Sequence, residues 1–290
     1  MQEDGVWRTI NGHRVFIKNK QVNNYMNDKI RKSNNNEVKK TKSNKEKYNK
    51  YKDELLKEGI RLDDERIADI DAELMDSNFA QMSYLMNKYP YIKDRYLSNP
   101  ENVAFLDSRL NVEGFTNDEF IARETKFGKE VDLDKIPIAE TNSSYFGINI
   151  DKYKDYNTLV EYERKAQLRG WHMPINDENV DKYIITHEFG HMMENYWWNR
   201  VSQISNEEYL NFSNRIANNI INKISAKTGL SYDEVLEKYF SGYVKYSYEL
   251  KDGMGDNELF AELFAQMELG KENEATKVLK DMLKDFERRF

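Results

Sequence analysis

Residues 18–50 are rich in Lys and Asn and carry few apolar side chains, so a packed core has to come almost entirely from the chain that follows. The main domain boundary is therefore expected in this stretch. Three parts result: a β-hairpin module over residues 1–20, a flexible Lys/Asn-rich linker over 21–55 and a folded domain over 56–290. With 33% charged and 39% hydrophobic residues and a mean hydropathy of -0.89, part of the length is expected outside any core. The 19 Tyr, 14 Phe and 4 Trp still supply the large apolar surfaces a domain of this size needs.

Residues 6–17 alternate apolar and polar side chains about Asn11-Gly12, a pair suited to a tight turn with positive φ at both positions. An isolated hairpin is marginal in water and needs something to dock on. Further on, Ile67, Ile70, Leu74, Phe79, Met82, Leu85 and Met86 recur at helical spacing between about Leu62 and Tyr89. Val103–Leu106 reads as a short strand. Ile136–Glu140 and Tyr145–Ile150 read as two more, around Asn142-Ser143-Ser144. The rest reads as helix. Asn176 or Asp177 caps a helix running to about Trp198, and capping boxes of Ser205 with Glu208 and Ser231 with Glu234 start the next two. Asp256 caps one through Met267, and an amphipathic helix runs from about Glu274 to Phe286. The expected class is α+β, with a small sheet preceding a helical C-terminal half.

The net charge of -7 argues against nucleic acid as the main partner. Ten Lys/Arg between Lys29 and Lys52 face only Glu37 and Glu46, a tract that reads as a solvated linker before it reads as a binding arm. No stretch approaches the roughly 18 consecutive apolar residues of a membrane span. The opening Met1-Gln2-Glu3-Asp4-Gly5 is acidic, unlike the basic-then-apolar start of a secretory signal. No membrane partner is expected. Cysteine is absent, which removes disulfides, thiolate metal ligands and a Cys nucleophile.

The residues with the clearest chemistry are His187-Glu188-Phe189-Gly190-His191. In a helix, side chains four apart share a face, so the two imidazoles can hold one zinc ion. Glu188 lies about 100° round from His187, beside the metal position but not bound to it. There it can collect the proton of a water that zinc has acidified to a pKa of about 7. Such a match arises by chance on the order of once in a hundred chains, and this chain has only four His. A third protein ligand is still required. His13 and His172 stand in unlike contexts; His172 reads as a loop histidine first, with contact to substrate as the second reading. Better candidates are Glu258 and Glu262, four apart in an otherwise apolar helix, because buried carboxylates are rare unless paired or metal-bound. Spacing alone does not rank the two.

The blocks Ile184-Ile185-Thr186-His187-Glu188-Phe189-Gly190-His191 and Asn257-Glu258-Leu259-Phe260-Ala261-Glu262-Leu263-Phe264-Ala265 resemble the gluzincin zinc metallopeptidases, most of all the catalytic domain of the anthrax lethal factor type. The resemblance covers roughly residues 136–270. It implies a zincin-like domain, a zinc cofactor and hydrolysis of peptide bonds; an endopeptidase is preferred because nothing in the sequence points to a pocket for a free amino terminus. It makes His187, His191 and Glu258 the zinc ligands, Glu188 the general base and Glu262 the support behind a ligand histidine. The reverse assignment of Glu258 and Glu262 stays open. The family also places a Tyr before the ligand helix to stabilise the oxyanion. The match here is Tyr248, with Tyr246 as second choice, although Glu249–Gly255 makes the interval longer than the family pattern. A protein or peptide substrate is expected to lie along a sheet edge formed by Ala139–Thr141 and Gly147–Asn149.

Val6–Lys18 resembles a hairpin module of phage head-morphogenesis (minor capsid) proteins and of toxin-like proteins from mobile elements. That likeness implies a phage or mobile-element particle as partner, and a location in the cytoplasm or in such a particle. It also carries an alternative function: a structural or docking protein with a degenerate zincin-like domain.

Overall fold

The computed structural model describes residues 5–10, 13–18, 44–97, 109–126, 136–142, 145–173, 175–242, 244–245 and 254–289. The chain divides into two compact units, Met1–Glu46 and Lys47–Phe290. In the first, strands β1 (Gly5–Ile10) and β2 (His13–Lys18) pair antiparallel, from Gly5 opposite Lys18 to Ile10 opposite His13. This register puts the connection at Asn11-Gly12, which lie outside the described residues.

Residues 44–56 form a helix, α1, where composition points to a linker. Tyr48, Tyr51 and Leu55 recur at steps of three and four and are buried. The Tyr48 hydroxyl donates to the Leu62 carbonyl at 3.1 Å, and that of Tyr51 to Asp76 Oδ1 at 2.9 Å. The larger compact unit begins at Lys47. Three apolar positions on one helical face suffice to anchor a segment whose composition is polar.

The sheet of this unit holds β3 (Ile60–Leu62), β4 (Leu110–Phe115), β5 (Ala139–Thr141) and β6 (Tyr145–Asn149), in the order β3-β4-β6-β5. The first three neighbours run parallel, and β5 closes one edge antiparallel to β6. Parallel neighbours require long crossovers. Helices α2 (Ala72–Lys88) and α3 (Pro90–Leu97) fill the first and α4 (Asn117–Lys126) part of the second. The helical spacing seen from Leu62 resolves into a 3-10 turn, Glu65–Asp69, and α2, because Asp71 caps α2 by accepting from the Glu73 N–H at 2.8 Å. Strand β4 has no counterpart among the strands expected from sequence, and Val103–Leu106 lie outside the described residues.

The remainder is helical: α5 (Tyr156–Leu168), α6 (Tyr183–Ser205), α7 (Tyr209–Thr228), α8 (Tyr232–Tyr239), α9 (Met254–Leu269) and α10 (Glu274–Arg289). The α+β class holds. Ser231 and Glu234 form the expected capping box of α8. Ser205 does not start α7: it is the last residue of α6, and its hydroxyl donates back to the Val201 carbonyl at 3.1 Å. The chain then turns at Asn206, at φ 54°, and α7 starts behind Glu208. Asp256 lies inside the first turn of α9 instead of capping it. A 3-10 turn, Asp177–Lys182, separates Asn176 from α6. Helix α9 is enclosed by α6, α7 and α10. One core runs from the sheet (Val112, Phe146, Ile148) through α6 (Phe189, Met193) to α9 (Phe260, Phe264). Among the described residues no helix is long and apolar enough to cross a membrane.

Candidate metal centre

Helix α6 carries His187 and His191 on one face and turns Phe189, Met193 and Trp197 into the core. Gly190 lies between the histidines, where the helix crosses α9. A Cβ at this position would stand 2.7 Å from Ala261 Cα and 3.1 Å from Phe264 Cβ, so only glycine allows the two backbones to approach this closely. Around the crossing, Phe189 stacks on Phe264 at 5.9 Å between ring centroids and Trp197 meets Phe260 edge-on at 5.3 Å. The close crossing carries Glu258, three residues before Ala261, up to the two imidazoles.

Glu258 Oε2 lies 3.2 Å from His187 Nε2, and Oε1 lies 3.6 Å from His191 Nε2. The rings are 4.9 Å apart and nearly perpendicular, and one donor atom from each of the three residues lies within 4.8 Å of the others. All three side chains are 12–15% exposed. An ion held tetrahedrally at bond lengths of about 2.0–2.1 Å needs donors about 3.3 Å apart. Two imidazole nitrogens and a carboxylate at these separations fit a divalent ion such as zinc, and the group can hold one. Burial alone would raise the Glu258 pKa, but His191 and His187 outweigh it and hold the carboxyl below its usual range. Glu188 is part-buried on the same helix, and burial pushes its carboxyl up to about 7, with Glu258 and Glu140 adding and His191 opposing. A carboxyl poised there can take up and release a proton near neutrality.

Each histidine has a partner behind it. His191 Nδ1 faces Asn257 Oδ1 at 2.7 Å, so an Nδ1–H donated there leaves the Nε2 lone pair for a metal. His187 Nδ1 is 3.5 Å from the Tyr183 hydroxyl. Tyr183 stacks on His172 at 3.9 Å, and His172 Nε2 is 2.9 Å from Glu163 Oε2. His172 lies in a loop, as expected, but is turned inward and is 7% exposed, its ring held by a buried carboxylate. Glu262 is buried and accepts from the N–H of Ser241 at 2.9 Å and from the Ser241 hydroxyl. Burial raises its pKa to about 7 against the pull of Ser241 and His172. The groups hydrogen-bonded to the two ligand-type histidines are thus Asn257 and Tyr183, while the hydrogen bonds of Glu262 go to Ser241.

Tyr248 and Tyr246 lie outside the described residues. Sequence reasoning missed Asn257, Tyr183, Glu163 and Ser241. Two of them carried a signal: Asn257 directly precedes Glu258, and Tyr183 is four residues before His187 on the same helical face. The edge strand β5 packs beside α6. Its Glu140 is gripped by both terminal nitrogens of Arg123 at 2.7 Å. Comparison of the chain with protein-family models, curated proteins and solved structures finds no match.

Proposed function

We propose that the chain is a zinc-dependent peptidase, an endopeptidase with a zincin-like domain. The observation that carries this reading is the convergence of Glu258 with His187 and His191, with Glu188 alongside. Zinc, when bound, acidifies water and polarises a carbonyl. In this reading Glu188 takes a proton from the attacking water and returns it to the departing amide nitrogen, and its carboxyl at about 7 suits both transfers. Asn257 and Tyr183 hold the two imidazoles in place. Tyr248, or Tyr246, is proposed to donate to the oxyanion. A peptide substrate can add as a further strand on β5, a sheet-edge strand whose ladder partner is β6. The paired hairpin β1–β2 and its likeness to phage head proteins support a phage or mobile-element particle as partner, with the protein in the cytoplasm or carried in such a particle.

The decisive experiment incubates the zinc-loaded protein with a diverse peptide library and reads cleavage by mass spectrometry. Wild type should cut internal bonds. Glu188→Gln should keep its zinc and lose about 10²- to 10⁴-fold of the rate. Undiminished cleavage by that variant would remove Glu188 from the mechanism. Zinc binding without cleavage of any peptide would favour the structural or docking role.

A further inference from the structure

A line of hydrogen bonds leads from His191 into the interior. Asn257 Oδ1, 2.7 Å from His191 Nδ1, is also 2.9 Å from the Tyr209 hydroxyl on α7. The same hydroxyl is 2.9 Å from Oε2 of Glu194, back on α6, and Ser213 donates to Glu194 Oε1 at 2.8 Å. Glu194 is fully buried. The groups acting on it are Ser213 and Tyr209 from α7 and Asp256 and Glu258 from α9, and none of them is a cation.

The Tyr209 hydroxyl has one hydrogen, and two oxygens compete for it. Given to an ionised Glu194, it leaves Tyr209 and Asn257 Oδ1 facing each other lone pair to lone pair at 2.9 Å. Turning the Asn257 amide would relieve that contact but would set its NH₂ against His191 Nδ1. The ring would then accept at Nδ1 and carry its proton on Nε2, the atom that faces Glu258. Only one arrangement pairs these groups and also leaves the His191 Nε2 lone pair free. His191 Nδ1–H and the Tyr209 O–H both donate to Asn257 Oδ1. Glu194, as a carboxylic acid, donates from Oε2 to the Tyr209 oxygen, and its Oε1 accepts from Ser213.

We propose that Glu194 is kept as a neutral acid whose hydrogen bond, relayed through Tyr209 and Asn257, fixes His191 in the Nδ1–H tautomer that can ligate a metal. Glu194 and Tyr209 are thus positioning residues for the site. The claim rests on the metal-centre reading above. Burial pushes the Glu194 carboxyl up to about 8 against the hydrogen bonds of Ser213 and Tyr209, with Asp256 and Glu258 adding, in keeping with a proton held at neutral pH.

Glu194→Gln tests it directly, because the amide donates to Tyr209 and accepts from Ser213 as the neutral acid does. That variant should bind zinc with wild-type affinity, measured by competition with a chelator. Tyr209→Phe keeps the ring that packs edge-on to Trp198 but cuts the relay. It should weaken zinc about 10- to 100-fold. In the metal-free proteins, ¹⁵N shifts should report Nδ1–H on His191 in wild type and in Glu194→Gln, and a shift toward Nε2–H in Tyr209→Phe. A tenfold or greater loss of affinity in Glu194→Gln, or Nε2–H in the metal-free wild type, would overturn the proposal. A wild-type protein that takes up no zinc would defeat the peptidase reading, while the tautomer in the metal-free protein would still decide this one.

Discussion

The last two helices, α9 and α10, are both 16 residues long and pack against each other, yet they treat charged residues in opposite ways. On α10, Ala275, Val278, Leu279, Met282, Leu283 and Phe286 are buried at steps of three and four, and Lys280, Asp281 and Lys284 face solvent. Among the described side chains of α9 there is no solvent face of that kind. Leu259, Phe260, Ala261, Leu263, Phe264 and Ala265 are buried all round it, and so are Asp256, Glu262 and Gln266. A polar group taken from water costs free energy unless it finds a partner. On α9, Asp256 Oδ2 accepts from Asn214, Glu258 meets the two imidazoles, Asn257 meets His191, Glu262 meets Ser241 and Gln266 meets Asn273, while Asp256 Oδ1 is buried without a hydrogen-bond partner among the described residues. Charge on α10 keeps a surface wet. Charge on α9 has to be matched residue by residue, and that matching builds the site.

The contrast can be broken most sharply within α9 itself. Glu258→Ala should take the protein from a filled site to an empty one, read by metal analysis of the purified protein. Glu262→Ala should retain the metal and lose stability, because it strands the Ser241 N–H and hydroxyl in the interior at a cost of about 1–3 kcal/mol. If Glu262→Ala empties the site and Glu258→Ala does not, the two roles are reversed.

A buried acid beside α9 should also respond to pH in the opposite sense to an exposed, paired one. The Glu194 carboxyl is raised from 4.5 to about 8, chiefly by burial. Between those values the folded protein keeps a proton that the unfolded chain has lost, so stability is highest at the acid end and falls as pH rises through the window. One such group contributes up to about 1.4 kcal/mol per pH unit. Glu274 on α10 is held below its usual value by Lys277, and its stabilising contribution is lost as pH falls. Urea titrations of the metal-free protein across this range should show the downward slope, flattened by one proton's worth in Glu194→Gln. An unaltered slope in that variant would mean that Glu194 is ionised in the fold.

These residues also mark how far the sequence could be read. His187, Glu188 and His191 were legible because one turn of helix fixes their geometry, and Glu258 with Glu262 because acids are rare in so apolar a helix. Asn257 and Tyr183 were within reach of the same helical arithmetic. Tyr209, Ser213 and Ser241 were not: nothing local to α7 or to the chain after α8 says which buried carboxylate it will meet. The fold divides along the same line. Strands β5 and β6 and the Ser231 box follow from local pattern. Strand β4 and the docking of α1 depend on partners far away in the chain, such as Leu62 and Asp76 for the two tyrosines of α1.

The smallest effect is expected from an ion pair that bridges two helices and looks structural. Lys227 on α7 and Asp281 on α10 lie 3.3 Å apart, with side chains 43% and 64% exposed. Water screens both charges, and holding two long side chains in one geometry offsets much of the attraction. Asp281→Asn should therefore change unfolding stability by less than about 0.5 kcal/mol and leave metal content untouched. Glu262→Ala, by contrast, leaves the buried Ser241 N–H and hydroxyl without their acceptor. A loss at Asp281 as large as the loss at Glu262 would show that α10 carries structural charge after all, and the distinction between the two helices would fail.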